Sequence, residues 1–121
     1  MELKFKKCLK CGALINVFDD SKSGFICCSE KMVDVKPNTL EASFEKHIPN
    51  YEIKDLEIEV FVNHVMDNDH YIEWIMYQTD KESIKITFKP GDTLKVKFKY
   101  QKKALLYSYC NKHGLWMKEV L

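Results

Sequence analysis

The chain has 121 residues, 45% of them hydrophobic and 31% charged, and its 19 basic and 18 acidic side chains give a formal net charge of +1. This length and composition argue against disorder and predict one domain, or a small domain beside a larger one. No apolar run approaches the ~20 residues that span a bilayer, and the first residues lack the apolar stretch of a signal peptide. We therefore expect a cytoplasmic protein with no membrane partner.

The charge pattern also argues against nucleic acid as a partner. Apart from histidine, every basic residue is a lysine and none is an arginine, whereas planar, bidentate recognition of phosphate and guanine favours arginine. A net charge near zero gives no strong field to attract a polyanion. The 4 histidines and 5 cysteines are more informative, because an odd number of cysteines in a reducing compartment favours metal or redox chemistry over a disulfide framework.

The first 36 residues contain four of the five cysteines and no histidine. Cys8 and Cys11 form a C-x2-C pair followed by Gly12, and the adjacent pair Cys27-Cys28 follows fifteen residues later. Four thiolates in a tetrahedral array suit zinc or iron, and a vicinal disulfide is the remaining alternative. Because neighbouring side chains of a strand point to opposite faces, the backbone at Cys27-Cys28 must bend if both sulfurs bind one ion.

Beyond this segment, the pattern is that of β-strands. Val35-Lys36-Pro37-Asn38 favours a turn or linker and predicts a boundary between a domain over residues 1–36 and another over residues 37–121. Apolar residues then alternate with polar ones, with β-branched and aromatic enrichment, which predicts half-buried strands in a small antiparallel sandwich or barrel. The predicted strands cover residues 56–63, 71–78, 84–88, 94–100 and 104–109. Residues 40–46 predict a loop or a single turn.

The histidines and the last cysteine lie in turn-like segments that flank the predicted strands: His47, His64, His70, Cys110 and His113. Loops at one end of a sandwich can converge on a shared site. Imidazoles with one thiolate suit iron, copper or zinc, but five ligands exceed tetrahedral zinc and suit a five-coordinate metal with an open position. An axial thiolate pushes electron density onto the metal, which favours one-electron chemistry, and Lys46 would attract a small anion.

Three segments resemble the signatures of superoxide reductases: EKHIP at 45–49, HVMDNDHYIEWI at 64–75 and CNKHGLW at 110–116. The KPGD turn at 89–92 is similar to that of the same family, and the N-terminal cysteine spacing is similar to desulforedoxin. Together, in the family's order and over nearly the whole chain, they resemble desulfoferrodoxin, the two-iron superoxide reductase family.

The resemblance implies a ligand set and a reaction. The four histidines would be equatorial ligands and Cys110 the axial ligand of a square-pyramidal ferrous centre, and Cys8, Cys11, Cys27 and Cys28 would hold a second, distorted tetrahedral iron. Zinc is also possible at the four-cysteine site. Lys46 would attract superoxide and order the water that donates protons, while Glu45 would occupy the sixth position in the resting ferric state. The implied activity is reduction of superoxide to hydrogen peroxide without dioxygen production, in superoxide detoxification.

The fold and the partners are implied in the same way. We expect an all-β protein in which a small desulforedoxin-like domain precedes an immunoglobulin-like antiparallel β-sandwich that carries catalysis. The resemblance further implies a homodimer that receives electrons from a rubredoxin-like donor.

Two other functions are compatible with part of the sequence. Cys110, His113 and Met117 have the order found in the ligand loop of a blue-copper electron carrier. That site needs two histidines and leaves the other two without a role. A zinc-stabilised binding module with no enzymatic activity would leave all four histidines unexplained.

Overall fold

The computed structural model describes residues 2–19, 24–40, 42 and 44–121, with only the backbone of Phe44. The chain divides into two compact units, Glu2–Lys36 and Pro37–Leu121. Nearly all regular secondary structure in these ranges is strand, and the strands pair antiparallel throughout them. The predicted all-β class is therefore confirmed. No helix in the described ranges is long and apolar enough to cross a membrane.

The first unit contains one small sheet and one short hairpin. Its strands are β1 (Lys4–Lys7), β2 (Leu14–Val17), β3 (Ile26–Cys27), β4 (Glu30–Lys31) and β5 (Val33–Val35). The sheet has the order β2-β1-β5, and β3 pairs with β4. Its buried side chains include Phe5, Cys8, Val17 and Met32. Domains below about 40 residues rarely fold on such a core alone and usually need a metal or a cross-link.

The second unit is a sandwich of two antiparallel sheets. The three-stranded sheet has the order β10-β7-β6 and contains β6 (Asn50–Lys54), β7 (Glu57–Phe61) and β10 (Lys95–Lys99). The four-stranded sheet has the order β12-β11-β8-β9 and contains β8 (Ile72–Gln78), β9 (Ser83–Thr87), β11 (Ala104–Cys110) and β12 (Gly114–Val120). A single-turn helix, α1 (Phe44–His47), precedes β6. It lies at the end of the predicted turn, part of which falls outside the described residues.

The inner faces of the two sheets form the core of the second unit. On β7, Ile58 and Val60 are fully buried, while Glu57 and Glu59 alternate with them and pair in register with Lys99 and Lys97 of β10. The alternation of buried and outward-facing residues on β7 is the one predicted from the sequence. It arises because one face of the strand meets the core and the other meets water. Burying one such aliphatic side chain contributes roughly 1.5–3 kcal/mol. Elsewhere in the core, the rings of Tyr77 and Phe98 stack across the two sheets, with centroids 4.9 Å apart.

A β-bulge interrupts the alternation predicted for residues 71–78. Ile72, Ile75 and Tyr77 all belong to the core cluster, although strict alternation puts Ile72 on the opposite face from the other two. The cause is a register shift: Tyr109 of β11 pairs with Trp74, but Cys110 pairs with Ile72, so one residue of β8 has no partner on β11. An extra residue of this kind bends the strand and redirects the side chains that follow. Here it turns Ile72 inward beside Cys110.

Candidate metal centres

Five candidate ligands converge at one end of the sandwich. His47 ends α1, His64 and His70 lie in the loop between β7 and β8, Cys110 ends β11, and His113 lies in the turn before β12. Antiparallel pairing brings these strand ends to the same edge of the unit. Each residue offers one ligand atom, and all five ligand atoms lie within 4.8 Å of one another. The structure thus brings together the five residues for which the loop positions predicted a shared site.

One ring nitrogen of His113 has three close neighbours. Its Nδ1 lies 3.0 Å from Nε2 of His47, 3.2 Å from Nε2 of His70 and 3.8 Å from Sγ of Cys110. A neutral imidazole nitrogen is either one donor or one acceptor, so pairwise hydrogen bonds cannot satisfy all three neighbours. A cation shared among them can, because ligand atoms lie about 2.0–2.3 Å from a bound transition metal. Two ligands of one ion are then about 3–4.6 Å apart, which is the observed spacing.

The protonation chemistry of the cluster also fits a cation. Cys110 is fully buried, and burial raises the pKa of its thiol because a thiolate there loses its hydration. A bound cation reverses this preference and holds the sulfur as thiolate. Burial lowers the pKa of His64, which favours the neutral, metal-binding imidazole. His64 Nδ1 contacts the Val65 carbonyl oxygen, so Nδ1 carries the proton and Nε2, 3.4 Å from the Cys110 sulfur, is the free ligand atom.

Asn111 joins the two loops that carry four of these ligands, a role that was not predicted from the sequence. Its Oδ1 accepts from the Tyr71 N–H at 3.0 Å, and its Nδ2 donates to the Asp69 carbonyl at 2.9 Å. The Asn111 N–H donates in turn to the Tyr71 carbonyl at 3.2 Å. These bonds hold the segment around His70 beside the turn that carries His113. Asparagine in a turn is common, so the sequence gives no separate signal for this role.

Trp116 is a second supporting residue whose role was not predicted from the sequence. Its fully buried ring stacks on the imidazole of His47, with centroids 5.0 Å apart and an interplanar angle of 26°. Its Nε1 donates to the carbonyl oxygen of His113 at 3.0 Å. One side chain of β12 therefore contacts two candidate ligands and fixes their mutual position.

Glu45 and Lys46 are exposed on α1, immediately before His47. Glu45 lines an open cavity of about 500 Å³ together with His64, Met66 and Lys95. The carboxylate thus belongs to the same surface depression as one imidazole of the cluster.

Met117 lies away from the cluster. It pairs with Tyr107 on β11, whereas Cys110 pairs with Gly114, so three residues of strand separate Met117 from the cysteine, about 10 Å at the usual rise. Its backbone N–H is bound by the Asn38 side chain at 2.9 Å. The order of Cys110, His113 and Met117 in the sequence therefore does not become the ligand set of a blue-copper site.

The four remaining cysteines form a second cluster within the first unit. Their sulfurs all lie within 4.8 Å of one another, with 3.5 Å between Cys11 and Cys27 and 3.9 Å between Cys27 and Cys28. The expected backbone bend is present, because Cys28 has φ 53° and Ser29 has φ 62°. This left-handed conformation breaks the strand alternation and allows adjacent cysteines to face one centre.

The thiols of this cluster differ in acidity for reasons visible in the geometry. The Cys11 N–H lies 3.5 Å from the Cys8 sulfur and, as the largest cause, lowers the pKa of Cys8 to about 7. The neighbouring side chains of Cys11 and Cys8 raise the pKa of Cys27 to about 12, and the side chain of Cys11 also raises that of Cys28. Thiolates packed this closely repel one another unless a cation neutralises them. Four sulfurs fit tetrahedral iron or zinc.

Residues 39–119 match the sequence profile of the family described as Desulfoferrodoxin. The chain belongs to the desulfoferrodoxin family. The match spans all three segments that supply the histidines and Cys110. Desulfoferrodoxins with both a four-cysteine and a four-histidine, one-cysteine site are two-iron proteins, and the two donor sets described above fit that pair of centres.

Individual relatives extend the likeness to the whole chain. Desulfoferrodoxin from Nitratidesulfovibrio vulgaris is 35% identical over an alignment of 117 positions, which covers 93% of each chain. Desulfoferrodoxin from Desulfarculus baarsii is 33% identical over an alignment of 121 positions, which covers 97% of this chain and 96% of the relative. The crystal structure of the superoxide reductase from Treponema pallidum has a TM-score of 0.74 and 30% identity, covering 98% of this chain and 99% of that one.

Proposed function

We propose that the protein is a superoxide reductase, which reduces superoxide to hydrogen peroxide and releases no dioxygen. The observation that carries the proposal is the cluster of four imidazoles and one buried thiol, whose ligand atoms lie within 4.8 Å of one another. The family membership of the chain and its likeness to a solved superoxide reductase support the same activity. The reaction consumes one electron and two protons for each superoxide.

The proposed ligands of the catalytic iron are His47, His64, His70, Cys110 and His113. When bound, iron supplies the one electron that superoxide takes up. Cys110 is buried and ends a strand that is paired on both sides, and with iron bound its sulfur would be an anionic thiolate that donates electron density to the metal. The imidazoles of His64, His70 and His113 are partly exposed, which leaves a route for a small anion.

Lys46 and Glu45 are the proposed catalytic residues. Lys46 is exposed one residue before His47, and its positive charge attracts superoxide and orders a water that donates protons. Glu45 lines the cavity beside His64, and its carboxylate would cap the open position in the resting state. Both roles depend on α1, because a single turn of helix carries these two residues together with His47.

The second centre is proposed to be iron held by Cys8, Cys11, Cys27 and Cys28, with zinc as the alternative metal. On this proposal residues 1–36 form a desulforedoxin-like domain and residues 37–121 form the catalytic sandwich. We also propose a cytoplasmic location. A homodimer and a rubredoxin-like electron donor complete the proposal.

Metal analysis and stopped-flow spectroscopy of protein expressed with ample iron test the proposal. We expect iron in the histidine site and, when superoxide is added to the reduced protein, a thiolate-to-ferric absorption band. One hydrogen peroxide should form for each superoxide, without dioxygen. Stoichiometric copper or zinc in the histidine site would contradict the proposal. So would release of one dioxygen for every two superoxide ions, which would indicate a dismutase.

A further inference from the structure

Ser108 is a polar residue in the buried centre of β11. It is 0% exposed, and the residues that share its face of the strand are Ala104, Leu106 and Cys110, all of which belong to the hydrophobic core. A hydroxyl in such surroundings costs free energy unless it has a hydrogen-bond partner. Ser108 Oγ donates to the carbonyl oxygen of His47 at 2.7 Å, across 61 residues of sequence.

The carbonyl of His47 lies at the buried end of a helix. His47 ends α1 and is 3% exposed, and the last carbonyls of a helix have no intrahelical partner. Pro49, two residues later, has no N–H to offer and is itself fully buried. The hydroxyl of Ser108 therefore donates to a buried acceptor at the end of α1.

The hydrogen bond from Ser108 to His47 also connects the strand that carries Cys110 to the helix that carries His47. Both residues are candidate ligands of one centre. Ser108 and Cys110 are two residues apart on the same strand and lie on the same face, about 7 Å apart along it. Ser108 also pairs in register with Trp116, whose ring stacks on the His47 imidazole. The imidazole is thus fixed by the Trp116 ring, and its backbone is fixed by the Ser108 hydroxyl.

We propose that Ser108 is a positioning residue for the histidine and cysteine site: its hydroxyl holds the backbone of His47 at a set distance from Cys110 and thereby sets the affinity and ligand geometry of the metal. The proposal rests on the proposed function for its biological meaning. Its physical content is metal binding, which is measured without superoxide.

The test is cobalt binding to the full-length apoprotein, followed by competition and by the absorption of the thiolate-bound ion. Ser108→Ala should weaken Co²⁺ at the histidine site about tenfold, the lower end of the range for lost outer-sphere contacts, and shift its thiolate absorption band. Affinity at the four-cysteine site should be unchanged, which gives an internal control. Ser108→Thr keeps the hydroxyl and should bind within a few-fold of the natural protein. Ser108→Val has nearly the same side-chain shape as Ser108→Thr but lacks the hydroxyl, and it should behave like Ser108→Ala.

A purely structural role for the hydroxyl is tested with a matched buried hydrogen bond elsewhere in the unit. Tyr77 Oη accepts from the Gln101 N–H at 2.8 Å, and Tyr77→Phe should lower the melting temperature without moving cobalt affinity at the histidine site. If Ser108→Ala only lowers the melting temperature, with cobalt affinity and spectrum unchanged, the proposal is wrong. Equal cobalt affinities for the Thr and Val variants would also overturn it. Should the iron-loaded protein fail to reduce superoxide while Ser108→Ala still weakens cobalt, the function fails and the positioning role stands.

Discussion

His47 Nε2 and His113 Nδ1 lie 3.0 Å apart, although 66 positions of sequence separate the two residues. One imidazole is held at the end of a single helical turn and the other in a turn between two strands. The contact therefore depends on the packing of α1 against the four-stranded sheet. Changes to residues that hold either element should be visible in metal binding as well as in stability.

Replacing Lys46 with alanine should slow the reaction with superoxide roughly tenfold, because one attracting charge beside the site is lost. The rate should also depend less on ionic strength, since salt screens that charge in the natural protein. Pulse radiolysis at several salt concentrations measures both effects. Lys85→Ala, which removes an exposed lysine from β9, serves as the control and should react at the natural rate. An unchanged rate for Lys46→Ala would exclude Lys46 from the mechanism.

Replacing Cys110 with serine should abolish the thiolate-to-ferric band of the histidine site, because a hydroxyl is not deprotonated like a thiol and gives no sulfur-to-metal transition. Visible absorption of the oxidised, iron-loaded protein measures it. Cys28→Ser is the matched control: it should alter only the spectrum of the four-cysteine centre. Persistence of the histidine-site band in Cys110→Ser would mean that a different residue supplies the sulfur.

Replacing Asn111 with alanine should lower the free energy of unfolding by about 1–2 kcal/mol, because two side-chain hydrogen bonds to the neighbouring loop are lost. The variant should also bind Co²⁺ more weakly at the histidine site, since those bonds hold His70 and His113 together. Urea unfolding and cobalt titration measure the two effects. Asn111→Asp keeps the acceptor for the Tyr71 N–H and loses the donor to Asp69. Its free energy of unfolding and its Co²⁺ affinity should therefore lie between those of the natural protein and those of Asn111→Ala. Natural stability and affinity in Asn111→Ala would contradict the clamping role.

Replacing Gly114 with alanine should destabilise the protein by about 1–2 kcal/mol, because its φ of 76° lies in the left-handed region. A Cβ at this position would also come within 2.8 Å of Leu40 Cδ1. Leu40 is half exposed, so its side chain can rotate away and this contact should add less than about 1 kcal/mol. Thermal unfolding of Gly114→Ala measures the sum of the backbone cost and the cost of the contact with Leu40.

Gly91→Ala is the matched control for Gly114, because its φ is 87° and a Cβ there would meet open space. The two variants should therefore have similar melting temperatures, and adding Leu40→Ala to Gly114→Ala should remove any excess loss. An excess of several kcal/mol that Leu40→Ala does not relieve would show that the backbone after His113 cannot adjust.

The sequence by itself determined the positions of the strands that have one solvent-exposed face. β7 and β10 alternate because one side of each meets the core and the other meets water, so the pattern can be read without a partner. It also identified the nine sulfur and nitrogen ligand candidates, since their motifs are local. β12 and β6 were not predicted. β12 contains the run Leu115-Trp116-Met117, which does not alternate. β6 is an edge strand without fully buried side chains, so it has no strong apolar alternation.

Only the tertiary structure decided how the candidates meet and what supports them. The bulge opposite Cys110, the loop clamp by Asn111 and the bond from Ser108 to His47 all join residues that are distant in sequence. A hydrogen bond depends on the distance and direction between two atoms in space, and neither residue type carries that information alone. In the sequence, Ser108 looks like any serine of a strand. Burial against the end of α1 gives its hydroxyl a specific partner.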